Sequence, residues 1–164
     1  MARVWKFGAD VDTDQIVPGR YAPYMNSEAE LGKYPFIEAR PEFAGQVQRG
    51  DVIVAGTNFG CGSSREYAPQ ALKVVGVAAI IAPSFARIFF RNALNLGLPL
   101  VESADLAEIL QDGETVELDL VQAQLTTARG VYTVPKPPEF VQLIWQAGGI
   151  VPYFKTHGRF PGQA

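Results

Sequence analysis

The sequence predicts an α/β fold whose middle is a set of parallel strands and whose C-terminal half adds an antiparallel meander. Two observations carry this. Short, continuous apolar runs at 51–56, 77–82 and 98–101 alternate with segments of helical spacing, as strands buried on both faces do when helices connect them. From Glu114 the pattern changes to strict alternation over 114–120, with further short β-rich runs at 124–127 and 131–134. Helices therefore pack on a mixed sheet, and the 164 residues are read as one domain, 1–164.

Each element has its own signal. Residues 3–8 alternate through Val4, Trp5, Lys6 and Phe7, which suits a strand. Next come three carboxylates at alternating positions, Asp10, Asp12 and Asp14. The loop lacks the mid-loop glycine and closing glutamate of an EF-hand, so no metal site is expected. Thr13 and Asp14 read as polar groups at a strand end, able to hydrogen-bond a bound hydroxyl or carboxylate, or else as an Asx-type turn. Residues 22–41, with Pro23, Gly32, Pro35 and Pro41, show no sustained period and suit a loop with short helical pieces, a lid or a specificity segment.

After the strand at 51–56, Ala68, Ala71, Leu72 and Val75 mark a helix over 67–75. The run at 77–82 ends at Pro83, and Ser84 is placed to cap a helix burying Phe85, Ile88, Phe89, Ala93, Leu94 and Leu96, with Gly97 closing it. Arg87 and Arg91 fall on another face of that helix. There Arg91 and Asn92 either meet the ligand loop or lie in solvent. A short helix over 103–110 stops at Asp112-Gly113. Pro135, Pro137 and Pro138 end the meander, 139–146 is a last amphipathic helix, and Gly148-Gly149 with the tail at 153–162 closes the chain.

Composition excludes several function classes. At 48% hydrophobic and 19% charged residues the chain suits an ordinary globular protein, and a net charge of −3 without a basic cluster speaks against nucleic acid. No apolar run is long enough to span a bilayer, and Met1 to Phe7 is too short and mixed for a signal peptide, so a cytoplasmic protein is expected. The single cysteine, Cys61, rules out an internal disulfide and a cluster held by thiolates of this chain only. The single histidine, His157, would have to fold back from near the C-terminus to serve a Ser-His or Cys-His site; a solvated residue is the simpler reading.

The stretch that carries chemistry is Asn58-Phe59-Gly60-Cys61-Gly62-Ser63-Ser64-Arg65-Glu66, between a strand and a helix. Gly60 and Gly62 permit positive φ and close approach of a ligand, and Ser63 or Ser64 is a fair helix N-cap. Free N–H groups, the helix dipole and the forked cation of Arg65 would then converge on an anion. Plain capping chemistry explains the same residues without a ligand. The stretch is not a Walker A loop, lacking the Lys-Ser/Thr ending, nor the dinucleotide fingerprint, lacking the third glycine.

Taken with Asp12-Thr13-Asp14-Gln15-Ile16, Ser84-Phe85-Ala86-Arg87-Ile88-Phe89-Phe90-Arg91-Asn92 and His157-Gly158-Arg159-Phe160-Pro161, this stretch resembles the small subunits of isopropylmalate dehydratase and homoaconitase in the aconitase superfamily. The match runs along essentially the whole chain. The resemblance implies a swivelling β/β/α domain that closes over a 4Fe-4S cluster carried by a separate large subunit. Together the two would isomerise a small hydroxy di- or tricarboxylate by dehydration and rehydration, in leucine or lysine biosynthesis. By motif, Ser63 matches the base that removes a proton from carbon, Ser64 supports it, Arg65 clamps a substrate carboxylate, and Thr13 and Asp14 face the same site beside Gly62. The chain departs from the family in the loop that tracks the substrate side arm, Tyr21-Ala22-Pro23-Tyr24-Met25, which has no arginine; Arg20 is its nearest cation. The substrate stays open between isopropylmalate and homoaconitate. Two other classes are a non-catalytic carboxylate-binding regulatory module and a stand-alone thiol enzyme using Cys61.

Overall fold

The apolar runs are short because each is a strand buried from both sides. In this computed structural model, which describes residues 1–163, the strands are β1 (Ala2–Lys6), β2 (Val52–Val54), β3 (Ala79–Ala82), β4 (Leu100–Glu102), β5 (Thr115–Asp119), β6 (Gln124–Thr127) and β7 (Gly130–Thr133). They form one seven-stranded mixed sheet in the order β4-β3-β2-β1-β5-β6-β7. Strands β1 to β4 are parallel, with Trp5 opposite Ile53, Ile53 opposite Ile80, and Ile80 opposite Leu100. The remaining strands are antiparallel, β5 pairing with β1 and then with β6, and β6 with β7.

Strand period divides the core in two. On one face Trp5, Ile53, Ile80 and Leu100 pack with Ala68, Ala71 and Leu72 of α4 (Tyr67–Val74) and Phe89 and Ala93 of α5 (Arg87–Leu96). On the other, Val4, Val52, Val54, Ile81 and Val101 pack with Leu106 of α6 (Ala104–Ile109) and with Val116 and Leu125 of the meander. One cluster thus joins β4, at one end of the sheet, to β6, next to the other end, and the sheet curls around α6. Asp51 is 4% exposed and accepts hydrogen bonds from the backbone N–H groups of Arg3 and Gln48 and from Trp5 Nε1. Those three donors satisfy a carboxylate that burial would otherwise penalise.

The segment expected to be a lid is tied down over part of its length. Short helices α1 (Thr13–Ile16), α2 (Glu28–Leu31) and α3 (Phe43–Gln46) and a 3₁₀ turn over Gly19–Tyr24 occupy the path from β1 to β2. Leu31 and Phe36 are buried, and Phe36 joins Phe7 and Phe43 in an aromatic cluster against Trp5. Only the 3₁₀ turn buries no residue.

Three expectations need correction. Ser84 does not cap α5: its hydroxyl accepts the Asn58 N–H at 2.8 Å, and the helix starts at Arg87 after Ala86. Ile88 is not on the buried side but 53% exposed. The stretch after α7 (Glu139–Ala147) is a helix, α8 (Ile150–His157), where a tail was expected. Gly148 and Gly149 read as breakers; they turn the chain into a second helix, with Pro152 in its first turn, where no intrahelical N–H donor is needed.

Candidate functional site

The loops leaving the carboxyl ends of β1, β2 and β3 stay in register beyond the sheet. Asp12 and Cys61 form an isolated parallel bridge, with Gly60 N–H donating to Val11 O and Thr13 N–H to Cys61 O. Phe59 and Phe85 form a second, flanked by Phe59 N–H to Ser84 O and Ala86 N–H to Phe59 O. Glycine is required where the central loop crosses α5: Gly60 has φ +84°, and a Cβ there would lie 2.2 Å from Phe89 Cγ. Gly62, at φ +93°, turns the chain so that Ser63 and Ser64 project outward.

Neither serine is the N-cap of α4. That position falls to Glu66, which makes no side-chain cap bond, and the hydroxyls of Ser63 and Ser64 line an open cavity of about 590 Å³ instead. Ser63 is held by its backbone, since the buried Thr13 hydroxyl donates to Ser63 O at 2.9 Å. Thr13 and Asp14 do not end a strand. They open α1 behind an Asp12 and Gln15 capping box, which fulfils the turn alternative and fixes Thr13 against the loop.

Arg65 is set by three neighbours. Its guanidinium pairs with Asp14 at 3.2 Å, donates to the Tyr67 hydroxyl, and lies flat on Gly19, where a Cβ would fall 1.9 Å from Nη1. Its Nε is buried without a hydrogen-bond partner, an unmet donor on a side chain lining the cavity. The Tyr67 hydroxyl, followed by the Asp14 and Asp12 charges, raises its pKa further. Asp14 also accepts the Gly19 N–H, so it braces Arg65 and does not itself line the cavity.

The other wall comes from the loop before α5 and from its first turns. Arg87, Ile88, Arg91 and Asn92 line the cavity with Arg65, so the lining holds three arginines and no carboxylate. Arg91 and Asn92 line the cavity shared with the Ser63-Ser64-Arg65 turn, and Arg91 is also exposed to solvent. Arg87 was read only as a face of the helix; its spacing of four residues from Arg91 was the available signal. Arg20 and His157 are elsewhere. Arg20 pairs with Glu38, its side chain 68% exposed, outside the lining. His157 stacks on Tyr153 at 4.1 Å and reaches Tyr153 O through Nδ1.

The residues of this chain do not fit an iron–sulfur cluster. A cluster needs several thiolates, and burial, followed by the Asp12 and Asp10 charges, pushes the half-buried Cys61 thiol up. Among the described residues no group of three or more His, Cys, Asp or Glu converges as metal ligands. The same shift argues against Cys61 as a nucleophile.

The chain is thus an α/β domain in which the loops after its parallel strands, a tight glycine turn and three arginines line one cavity. Residues 11–105 match the family described as the aconitase C-terminal domain, and the chain belongs to that family. It is similar to the 3-isopropylmalate dehydratase small subunit 1 of Deinococcus radiodurans, 53% identical over 99% of this chain and 92% of the relative. It is 51% identical to the homoaconitase small subunit of Thermus thermophilus, over 99% of this chain and all of that one. Among solved structures, 3-isopropylmalate dehydratase (leuD) from Methanocaldococcus jannaschii superposes with a TM-score of 0.86 at 42% identity, covering 96% of this chain and 93% of its own.

Proposed function

We propose that this chain is the small subunit of a heteromeric iron–sulfur hydro-lyase of the 3-isopropylmalate dehydratase and homoaconitase type, acting in leucine or lysine biosynthesis in the cytoplasm. It works with a large subunit that carries the 4Fe-4S cluster, on a small hydroxy di- or tricarboxylate. The observation that carries the reading is the Ser63-Ser64-Arg65 turn: two serines free of capping duty beside a braced arginine, all three lining one cavity.

The geometry supports one division of labour. Arg65 receives a substrate carboxylate through its fork, with Asp14, Tyr67 and Gly19 fixing the guanidinium plane. Ser63 takes the proton from the carbon next to that carboxylate and returns it on rehydration. A serine hydroxyl is a feeble base, so its alkoxide needs stabilisation in the transition state. Among the described residues, the N–H groups of Gly62, Ser63 and Ser64 donate to no protein acceptor, and Arg65 follows them directly in the chain. Ser64 supports Ser63, and Thr13 holds the Ser63 backbone through its carbonyl. The chain supplies carboxylate binding and proton handling, and the partner's cluster supplies the Lewis acid for the leaving hydroxyl.

Reconstitution tests the reading. The purified chain alone should be colourless and inactive, and turnover should appear on mixing with the cluster-loaded large subunit. Stoichiometric iron on the isolated chain, or unchanged turnover without it, overturns the proposal.

A further inference from the structure

Resting on that reading, we propose that Arg87 and Arg91 form a second carboxylate clamp, distinct from Arg65, that sets the preference for a substrate bearing an additional carboxylate arm. Both side chains are solvent-exposed, and without an anion their proximity is mildly unfavourable. They lie four residues apart on α5, where like charges repel along one face. Arg87 is the first residue of the helix and Arg91 the fifth, close to the end where the backbone dipole already carries partial positive charge. They share a cavity with the third cation, Arg65, and no carboxylate lines it. Among the described residues neither makes an ion pair. Glu102 lines a second depression with the same two arginines and, among the described residues, pairs with neither.

Local rules broken together at one cavity mark a functional position. Arg65 and the large subunit take the two carboxylates that both substrate types share, so the arm that distinguishes a tricarboxylate from an alkylmalate is left to the arginine pair; Arg20, paired with Glu38 away from the cavity, is not placed to hold it. Ile88, 53% exposed between the two arginines, offers that arm an apolar neighbour. An aliphatic arm can therefore enter, without the charge contact.

The test uses direct binding and turnover. The full chain is titrated with tricarballylate and with succinate by calorimetry, as wild type, Arg87→Gln, Arg91→Gln and the double variant. Wild type should bind the tricarboxylate about tenfold or more tighter than the dicarboxylate, the scale of one charge-assisted contact, and the double variant should lose that difference while keeping succinate binding within about twofold. Equal affinity of wild type for both acids overturns the clamp. In the complex with the large subunit, the double variant should lose kcat/KM for homoaconitate at least about tenfold more than for isopropylmalate. Equal losses overturn the specificity role while leaving the hydro-lyase reading standing. Absence of turnover by the wild-type complex overturns that reading, and the titration then decides the clamp by itself.

Discussion

Ser63 and Arg65 stand in one turn yet should fail differently when changed. In the proposed role Ser63→Ala removes a group needed only as the proton moves, so kcat should fall by about 10² to 10⁴ with KM within a few-fold of wild type. Arg65→Lys keeps the charge but loses the fork and the Tyr67 and Asp14 bracing, so KM should rise as well. Steady-state kinetics of the reconstituted complex separates the two, and a fully active Ser63→Ala enzyme removes the assigned base. Two glycines make a second contrast. At Gly19 an added methyl meets only the end of the Arg65 side chain, so Gly19→Ala should leave thermal unfolding nearly unchanged and weaken substrate binding. At Gly60 the methyl runs into the buried Phe89 ring at positive φ, so Gly60→Ala should cost about 3 kcal/mol in chemical denaturation.

At the scale of elements, α5 brings its arginines to the cavity and is anchored at its other end. Lys73 of α4 donates to the carbonyls of Leu96 and Gly148, joining the C-terminal ends of α5 and α7 where a cation suits the dipole. Lys73→Met should therefore lower stability by about 1 kcal/mol, read as a drop in melting temperature, with kcat little altered. The elements legible from sequence were those whose period burial enforces: β2 and β3, buried on both faces, and α4 and the alternating β5, buried on one. What stayed hidden was set by contacts between segments far apart in sequence. Ser84 looks like a cap until Asn58 takes its hydroxyl. Ser63 looks like a cap until α4 starts three residues later than its hydroxyl would require. The Ser63-Ser64-Arg65 turn was readable because glycine, hydroxyl and cation spacing is local chemistry. Arg87 was not, because its side of α5 becomes a cavity wall only when the Phe59 to Phe85 bridge sets the loop beside it.

Across the whole molecule, the sheet is tied to its loops by ion pairs that acid should loosen. Arg40 grips Asp112 through both oxygens, at 2.9 Å each, and the same carboxylate accepts the Lys6 N–H, so Asp112 titrates below the usual aspartate range, chiefly through Arg40. A lowered folded-state value means the contribution is complete above about pH 4, the unfolded value, and fades as pH falls through the folded one. The pair is half exposed, so it contributes no more than about 1 kcal/mol. Asp112→Asn should accordingly lower the melting temperature at neutral pH and lessen its further fall toward about pH 3; a variant with the wild-type acid profile contradicts this role. In the proposed function this chain contributes the base and a carboxylate clamp to a reaction it cannot perform alone. The most direct measurement is anaerobic turnover of 3-isopropylmalate and homoaconitate by the cluster-loaded large subunit, with no small subunit, with this chain, and with its Ser63→Ala variant. The account predicts turnover of at least one substrate only with the wild-type chain, and near loss with the variant. Turnover by the large subunit unaided, or equal turnover with Ser63→Ala, would contradict it.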